Sequence, residues 1–527
     1  MNSWQEDVSS TGKIARSALS ISVVTFVSRI FGLLREWTRG YLLGTTGSSD
    51  AFSLSFMFPN LLRRLVGEGA MLVAFVPVFA ELKERYDEDY IREFVKSFFT
   101  LMVFILVTIV LIGYFLAPLL RFFLPEYTKI PGKIELTILL TRIMFPYILF
   151  ISLAALSQGI LNTYGIFVPS AATPILLNVS IISFGFLFWR YFRDPGIALS
   201  IGVIFGGMLQ FVFPLPFLYK TGIRYGFRTV FRDEGIKKIF TLMVPGIFGA
   251  GIYQINVLVS QIIAAMLEEG SVAALRFSNV LVELVLGIFI ISISTVILPD
   301  LSEKVARGDE EGIRKNLSFA LKLVGLITFP ATAGLMVLRT EIVTFLFRYG
   351  QFGKHSVGLV SYALLFHATG IAGTGATRVL LQMFYSFKDT KTPAIIAAVV
   401  MVVNLLLCYY LSRRLSLGGI ALAGSVAAYV NLLLLMVILL KRFRKPFDGT
   451  VFFGLGKTLI STLIMTVYLY LIQLRFERII EFNRSYNALF TIGAIVSSLV
   501  IYILVNLLLR NREILMIKDI LLRKLKP

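Results

Sequence analysis

The residues best suited to chemistry in this sequence are arginines placed where lipid would be expected. The stretch SISVVTFVSRIFGLLREWTRGYLLG, residues 20–44, is apolar enough for a membrane span yet carries Arg29, Arg35 and Arg39 with one acid, Glu36. A second stretch, FPNLLRRLVGEG, residues 58–69, adds Arg63 and Arg64 beside Asn60 and Glu68. An arginine at the centre of a bilayer costs on the order of 3 kcal/mol on insertion scales, so it marks a functional site by default. Two or three guanidiniums with few acids make an anion site. A diphosphate suits them better than a carboxylate, because each guanidinium donates paired hydrogen bonds to phosphate oxygens.

Depth separates these cations. At about 1.5 Å per residue, a helix entering near Ala18 carries Arg29 roughly 17 Å in, and one entering from the opposite side near Asp50 carries Arg63 roughly 20 Å in. Both positions are close to the midplane. Arg35 falls in the outer half, and Arg39 is expected to snorkel to the interface. Arg64 stands one turn from Glu68, a spacing that allows an ion pair, whereas Arg63 has no such local acid and is freer to bind a ligand. Arg142, Lys322 and Arg378 lie near span ends and are expected to reach headgroups. Arg276 lies about 8 Å inside its span and two turns from Glu283, and it stands equally as a cavity-lining or an interfacial residue.

Membrane helices must position these residues. The chain has 527 residues, 57% hydrophobic and 16% charged, a composition of polytopic membrane proteins rather than soluble domains. A net charge of +20 would otherwise suggest nucleic acid, but most Lys and Arg sit in short connections between apolar runs, so no nucleic-acid partner is expected. No small-residue cleavage site follows the first apolar run, so no removable signal peptide is expected. One cysteine, Cys408, and two histidines leave little material for a metal site, and none is expected.

A ruler of about 20 apolar residues per span gives fourteen candidates, numbered 1–14 below. They are 18–43, 50–80, 97–118, 136–162, 168–189, 197–219, 239–267, 272–299, 317–338, 356–385, 393–411, 417–440, 458–474 and 487–509. With the N-terminus cytoplasmic, that side carries 29 basic residues and the other 13, which favours both termini in the cytoplasm.

The chain also repeats itself. PVFAELKERYDEDYIREF from Pro77 aligns with PDLSEKVARGDEEGIRKN from Pro299 at an offset of 222, Gly47-Ser48 with Gly270-Ser271 at 223, and Gln158 and Pro169 with Gln382 and Pro393 at 224. An offset of six spans is even, so the copies are parallel and form two lobes around a central cavity. The expected domains are 1–221 (spans 1–6), 222–445 (spans 7–12) and an addition at 446–527 (spans 13 and 14 and a cytoplasmic tail). The fold class is thus all-α, polytopic, with two six-helix lobes plus two helices. At an offset of 223, Arg29, Arg35, Arg63 and Glu68 fall on Ile252, Leu258, Leu286 and Ile291, so the shared scaffold does not require these charges. Pro59, beside Asn60 and Arg63, would permit a bend that opens or closes the cavity.

GLGKT at 454–458 lacks the first glycine of a Walker A loop, which would fall at Val451, and no H-E-x-x-H or G-x-S-x-G occurs. Transport, rather than ATP hydrolysis, is implied, driven by gradients, membrane potential or product removal.

SRIFGLLRE (28–36), SSDAF (48–52), FPNLLRRLVGEGAMLVAFVPVFAE (58–81), FPYILFISLAALSQGILNTYGIFVPSAATPILLN (145–178) and FYSFKDTKTP (384–393) together resemble the MurJ/MviN family, lipid II flippases of the MOP exporter superfamily. The resemblance covers nearly the whole chain. It implies translocation of undecaprenyl-diphosphate-linked GlcNAc-MurNAc-pentapeptide from the inner to the outer leaflet of a bacterial inner membrane, by a monomer whose partners are lipid II and membrane lipids. It implies substrate binding by Arg29, Arg35 and Arg63 and a transport-cycle role for Asp50; from their positions in the sequence, Asn60 and Arg276 are further substrate-binding candidates and Glu68 and Glu283 further transport-cycle candidates. It also implies a groove for the lipid tail on spans 13 and 14. The family's arginine on span 8 would fall at Val280, one turn beyond Arg276. Positions that carry sodium-linked acids in some members match Ser260 and, one turn beyond Asn404, Cys408, which argues against sodium coupling. Alternative readings are export of another polyprenyl-diphosphate glycan or an amphipathic drug, or a membrane enzyme acting on a lipid diphosphate. Drug exporters usually favour acids in the cavity, and the spans lack the clustered His and Asp an enzyme would need.

Overall fold

The computed structural model describes residues 24, 26–65, 71–228, 233–443, 445–482 and 484–516. Glu68 lies outside the described residues. Among those described, helices and short connections account for the chain and no strand occurs. Helix starts follow local chemistry. Asp87, Asp194, Asp233 and Asp309 each accept a backbone N–H from the first turn of the following helix, and Pro195 occupies a first position where no N–H is needed.

Nine helices among the described residues are long and apolar enough to cross a membrane, or ten if the pair Lys354–Thr369 and Ile371–Ser386, bent by 42°, is one span. The 52-residue helix Lys391–Arg442 contains a break at Ser416 (φ 48°, ψ −134°) and covers expected spans 11 and 12. Expected span 10 is the bent pair, and expected spans 1, 2 and 7 are in neither count. Span 2 is divided between Gly47–Leu62 and Leu72–Arg85, and span 7 lies in Glu234–Ala265.

The chain packs as two compact units, Met1–Val272 and Ala273–Pro527. Helix Glu234–Ala265 packs against Leu72–Arg85 and belongs to the first unit. In that unit, Phe75, Phe79, Phe94 and Phe98 stack in a buried ladder. Spans 5 and 6 approach closely enough that a Cβ on Gly206 would stand 2.9 Å from the Leu177 Cα. In the second unit, Tyr502 on span 14 donates to the Leu326 carbonyl (2.7 Å), which docks the C-terminal hairpin onto span 9.

The repeat survives at the level of single interactions. Asp87 caps Glu88–Leu116, and its equivalent Asp309 caps Glu310–Val337. Arg85 pairs with Glu81 (3.1 Å) as Arg307 pairs with Glu303 (2.7 Å). Residues 63–65 adopt π-type backbone, as does Leu286–Ile290 at the same 223-residue offset. Such widened turns commonly mark functional positions.

Candidate functional site

The first unit holds three polar sets within its apolar helices. Arg35 donates to Asn178 Oδ1 (3.0 Å) and to Glu36 (2.8 Å), and Glu36 also takes Arg39 (3.1 Å). Glu36 and Arg39 are 3% and 5% exposed, so Arg39 does not snorkel to an interface as expected. The physical reason is the adjacent carboxylate: a guanidinium paired at i,i+3 can remain buried. Asn178 projects from span 5 and also donates to the carbonyl of Ser28 (3.5 Å), next to Arg29. Arg29 itself is half-buried and makes no ion pair or hydrogen bond with another described residue. Its donors remain available to a ligand, while those of Arg35 are held in a fixed fork.

In the second set, Arg63 donates from Nε (3.1 Å) and from an Nη (2.9 Å) to Asn60 Oδ1. This neutral amide fixes the orientation of the guanidinium at its Nε edge. Pro59 lies inside the same helix, just before the π-type turn that carries Arg63.

The third set is built around Asp50, in the first turn of Gly47–Leu62. Its carboxylate is 1% exposed and pairs with Lys133 Nζ (2.9 Å), which also lies over the Tyr127 ring (4.0 Å). The same carboxylate accepts the Gly270 N–H (2.8 Å), while Glu269 accepts the N–H of Gly47. Gly47 and Gly270 are repeat equivalents, so each of two related helix beginnings is capped by an acid attached to the other. Two positive helix ends are thereby held together by carboxylates placed between them. Ser48 adds a bond to Asp194 at the start of span 6.

In the second unit, Arg276 is half-buried on Ser271–Val285. Glu283 is exposed and binds Arg378 (3.4 Å), not Arg276. Arg378 is therefore an ion-pair partner rather than a headgroup anchor, because span 10 presents it to an acid on span 8. Lys322 likewise departs from expectation. It pairs with Glu513 (2.7 Å), at side-chain exposures of 12% and 5%. Arg142 donates to the Tyr114 carbonyl (3.3 Å) and covers its ring.

Sequence reasoning missed Asn178, Lys133 and Glu269. A polar residue inside an otherwise apolar span signalled Asn178. Nothing in the sequence distinguished Lys133 or Glu269 from ordinary loop charges, since their partners lie 83 and 222 residues away.

A family model described as Lipid II flippase MurJ matches residues 40–486. A protein of Treponema pallidum described as a probable lipid II flippase MurJ is 35% identical over 470 residues, covering 86% of this chain and 88% of its own. One of Vibrio cholerae with the same description is 37% identical, covering 81% and 83%. Among solved structures, a lipid II flippase MurJ in an inward closed conformation superimposes with a TM-score of 0.79 at 27% identity, over 93% of this chain and 98% of that one. A multidrug resistance MATE transporter of the MOP superfamily reaches 0.66 at 16% identity, over 80% of this chain and 99% of that one, and shows a shared fold.

Proposed function

Given that this chain belongs to the lipid II flippase MurJ family, we propose that it carries lipid II, undecaprenyl-diphosphate-linked GlcNAc-MurNAc-pentapeptide, from the inner to the outer leaflet of the bacterial inner membrane by alternating access. It is a transporter rather than an enzyme. The observation that carries the reading is the asymmetry of the repeat. Arg29, Arg35 and Arg63 occupy one copy, and their equivalents Ile252, Leu258 and Leu286 are apolar.

The geometry supports the following roles. Arg29, with free donors, and Arg63, oriented by Asn60, take the diphosphate. Arg35, fixed by Asn178 and Glu36, supplies positive potential next to Arg29. Arg276 serves the sugar-peptide headgroup from the second copy. The Asp50 set opens and closes the outer face, and Glu283 with Arg378 constrains span 8 against span 10. The protein works as a monomer with both termini cytoplasmic. Without a nucleotide site, net movement draws on the membrane potential.

Complementation of a flippase-depleted bacterium tests the reading. Wild type is expected to restore growth, and Arg29→Ala and Arg63→Ala to fail at equal expression. Failure of wild type, or growth with both variants, would overturn it. Dissipating the potential with valinomycin in proteoliposomes should stop lipid II movement. Continued flipping would remove the energetic proposal alone.

A further inference from the structure

The second unit contains a cavity of about 470 Å³, within the range of small-molecule sites, that the transport reading leaves unused. Spans 9, 10 and 12 and the first turns of helix Thr450–Phe482, which carries span 13, form its walls. Val324, Phe329, Ala376, Leu432, Met436 and Leu455 give it an almost wholly apolar lining. An apolar cavity within a membrane helix bundle excludes headgroups and accepts hydrocarbon.

The segment that joins two of its lining residues has the opposite character. Leu440 and Phe447 both line the cavity, and the segment between them begins and continues with Lys441, Arg442 and Lys445. Arg442 is committed to Asp389 (2.5 Å). The N–H of Thr392 is the main reason the Asp389 carboxyl stays below its usual range, with Arg442 assisting. Lys322, beside the lining residue Leu321, is committed to Glu513. Lys441 and Lys445 are exposed and pair with no carboxylate among the described residues. Asp448 is the acid nearest in sequence to this segment, and it is occupied by Thr450, whose backbone N–H and hydroxyl both donate to it. The segment between Leu440 and Phe447 thus carries two exposed ammonium groups with no carboxylate partner among the described residues, at the face that the count of basic residues favours as cytoplasmic.

We propose that this cavity is a binding site for an anionic phospholipid of the cytoplasmic leaflet, one acyl chain entering between spans 9, 10, 12 and 13 and the phosphate resting on Lys441 and Lys445. Basic pockets between helices on this side of a membrane select anionic headgroups. The site is separate from the arginines assigned to the substrate diphosphate, which belong to the other compact unit. Span 13 is only one of its four walls, so it also differs from a tail groove formed by spans 13 and 14. A lipid seated here would fill the gap between span 13 and the helices of the second repeat, and so tie the C-terminal hairpin to them.

The test uses the full-length protein in detergent with a tryptophan placed in the cavity by Phe329→Trp and read against the parent protein. Phosphatidylglycerol brominated on its acyl chains is expected to quench this tryptophan at lower concentration than brominated phosphatidylcholine. Lys441→Gln and Lys445→Gln should each weaken the phosphatidylglycerol response about fivefold, as expected for one basic residue near an anionic headgroup, and the double variant should erase the preference. Ala376→Phe, which fills the cavity without changing charge, should abolish quenching by both lipids. Equal quenching by the two lipids, preference retained without the lysines, or quenching retained in the filled cavity would overturn the proposal. Displacement of the brominated lipid by stoichiometric undecaprenyl diphosphate would also overturn it, by assigning the cavity to the substrate tail.

Discussion

The second span of each repeat makes the most instructive pair of regions in this molecule. Both begin at a Gly-Ser, 47–48 and 270–271, both pass through a π-type turn at 63–65 and 286–290, and both continue through a proline, Pro77 and Pro299, to a capped loop. At the start of that turn one copy has Arg63, held by Asn60, and the other has Leu286, 2% exposed. The widened turn is therefore not a consequence of the arginine, since it forms equally around a leucine. Backbone irregularity belongs to the scaffold, and charge is what one copy adds to it. The helix beginnings teach the same distinction. Both are capped, but Asp50 alone is additionally neutralised by a buried lysine.

This comparison can be broken most forcefully at Arg63. Arg63→Leu copies the second repeat into the first, and it should lower lipid II transport on the order of a hundredfold while leaving the folded yield unchanged, because a lost charge-assisted phosphate contact is worth several kcal/mol. Transport in proteoliposomes and size-exclusion profiles would report the two halves separately, and unchanged transport would make Arg63 part of the scaffold. Next in size is Lys133→Met. It strands the Asp50 carboxylate in a site that is 1% exposed, at about 3–5 kcal/mol for breaking a buried pair. Thermal unfolding should fall accordingly, and Asp50→Asn added to Lys133→Met should recover most of the loss. Absence of that recovery would show that the pair is not the relevant unit.

The reverse copy, Leu286→Arg, places an unmatched guanidinium in a buried position, and should reduce stability by about 3 kcal/mol without creating transport function. Normal stability there would mean that the second copy already offers a partner. The smallest expected effects are the matched caps. Asp87→Ala and Asp309→Ala should each cost about 1 kcal/mol, and by equal amounts, since each removes one carboxylate from one helix beginning. Unequal losses in thermal unfolding would show that the repeat has diverged even where its geometry is shared.

Much of this was legible because membrane helices obey local rules. The 222–224-residue offset and its cap and ion-pair positions lie within single stretches of sequence, so the match of Asp87 with Asp309 and of Arg85 with Arg307 is legible in the sequence alone. Arg39, Lys322 and Arg378 differ from expectation for one common reason. Position along a helix suggests snorkelling, whereas the fate of a charged side chain depends on which acid an adjacent or distant segment presents. Glu36 was beside Arg39 in the sequence, but Glu513 meets Lys322 only through the docking of the C-terminal hairpin.

The sequence by itself determined that this is a helical membrane transporter built from a parallel repeat, and that Arg29, Arg35 and Arg63 belong to one copy only. Hydropathy, basic-residue bias and internal repetition are properties of composition and order along the chain, and lipid allows few ways to satisfy a backbone. The tertiary structure alone decided which charges are free and which are spent. Arg29 keeps its donors while Arg35 and Arg39 share Glu36, and Asp50 is held by a lysine 83 residues away. Pairing of this kind is fixed by helix packing across the lobe, where angstroms of approach separate a buried ion pair from an open anion site.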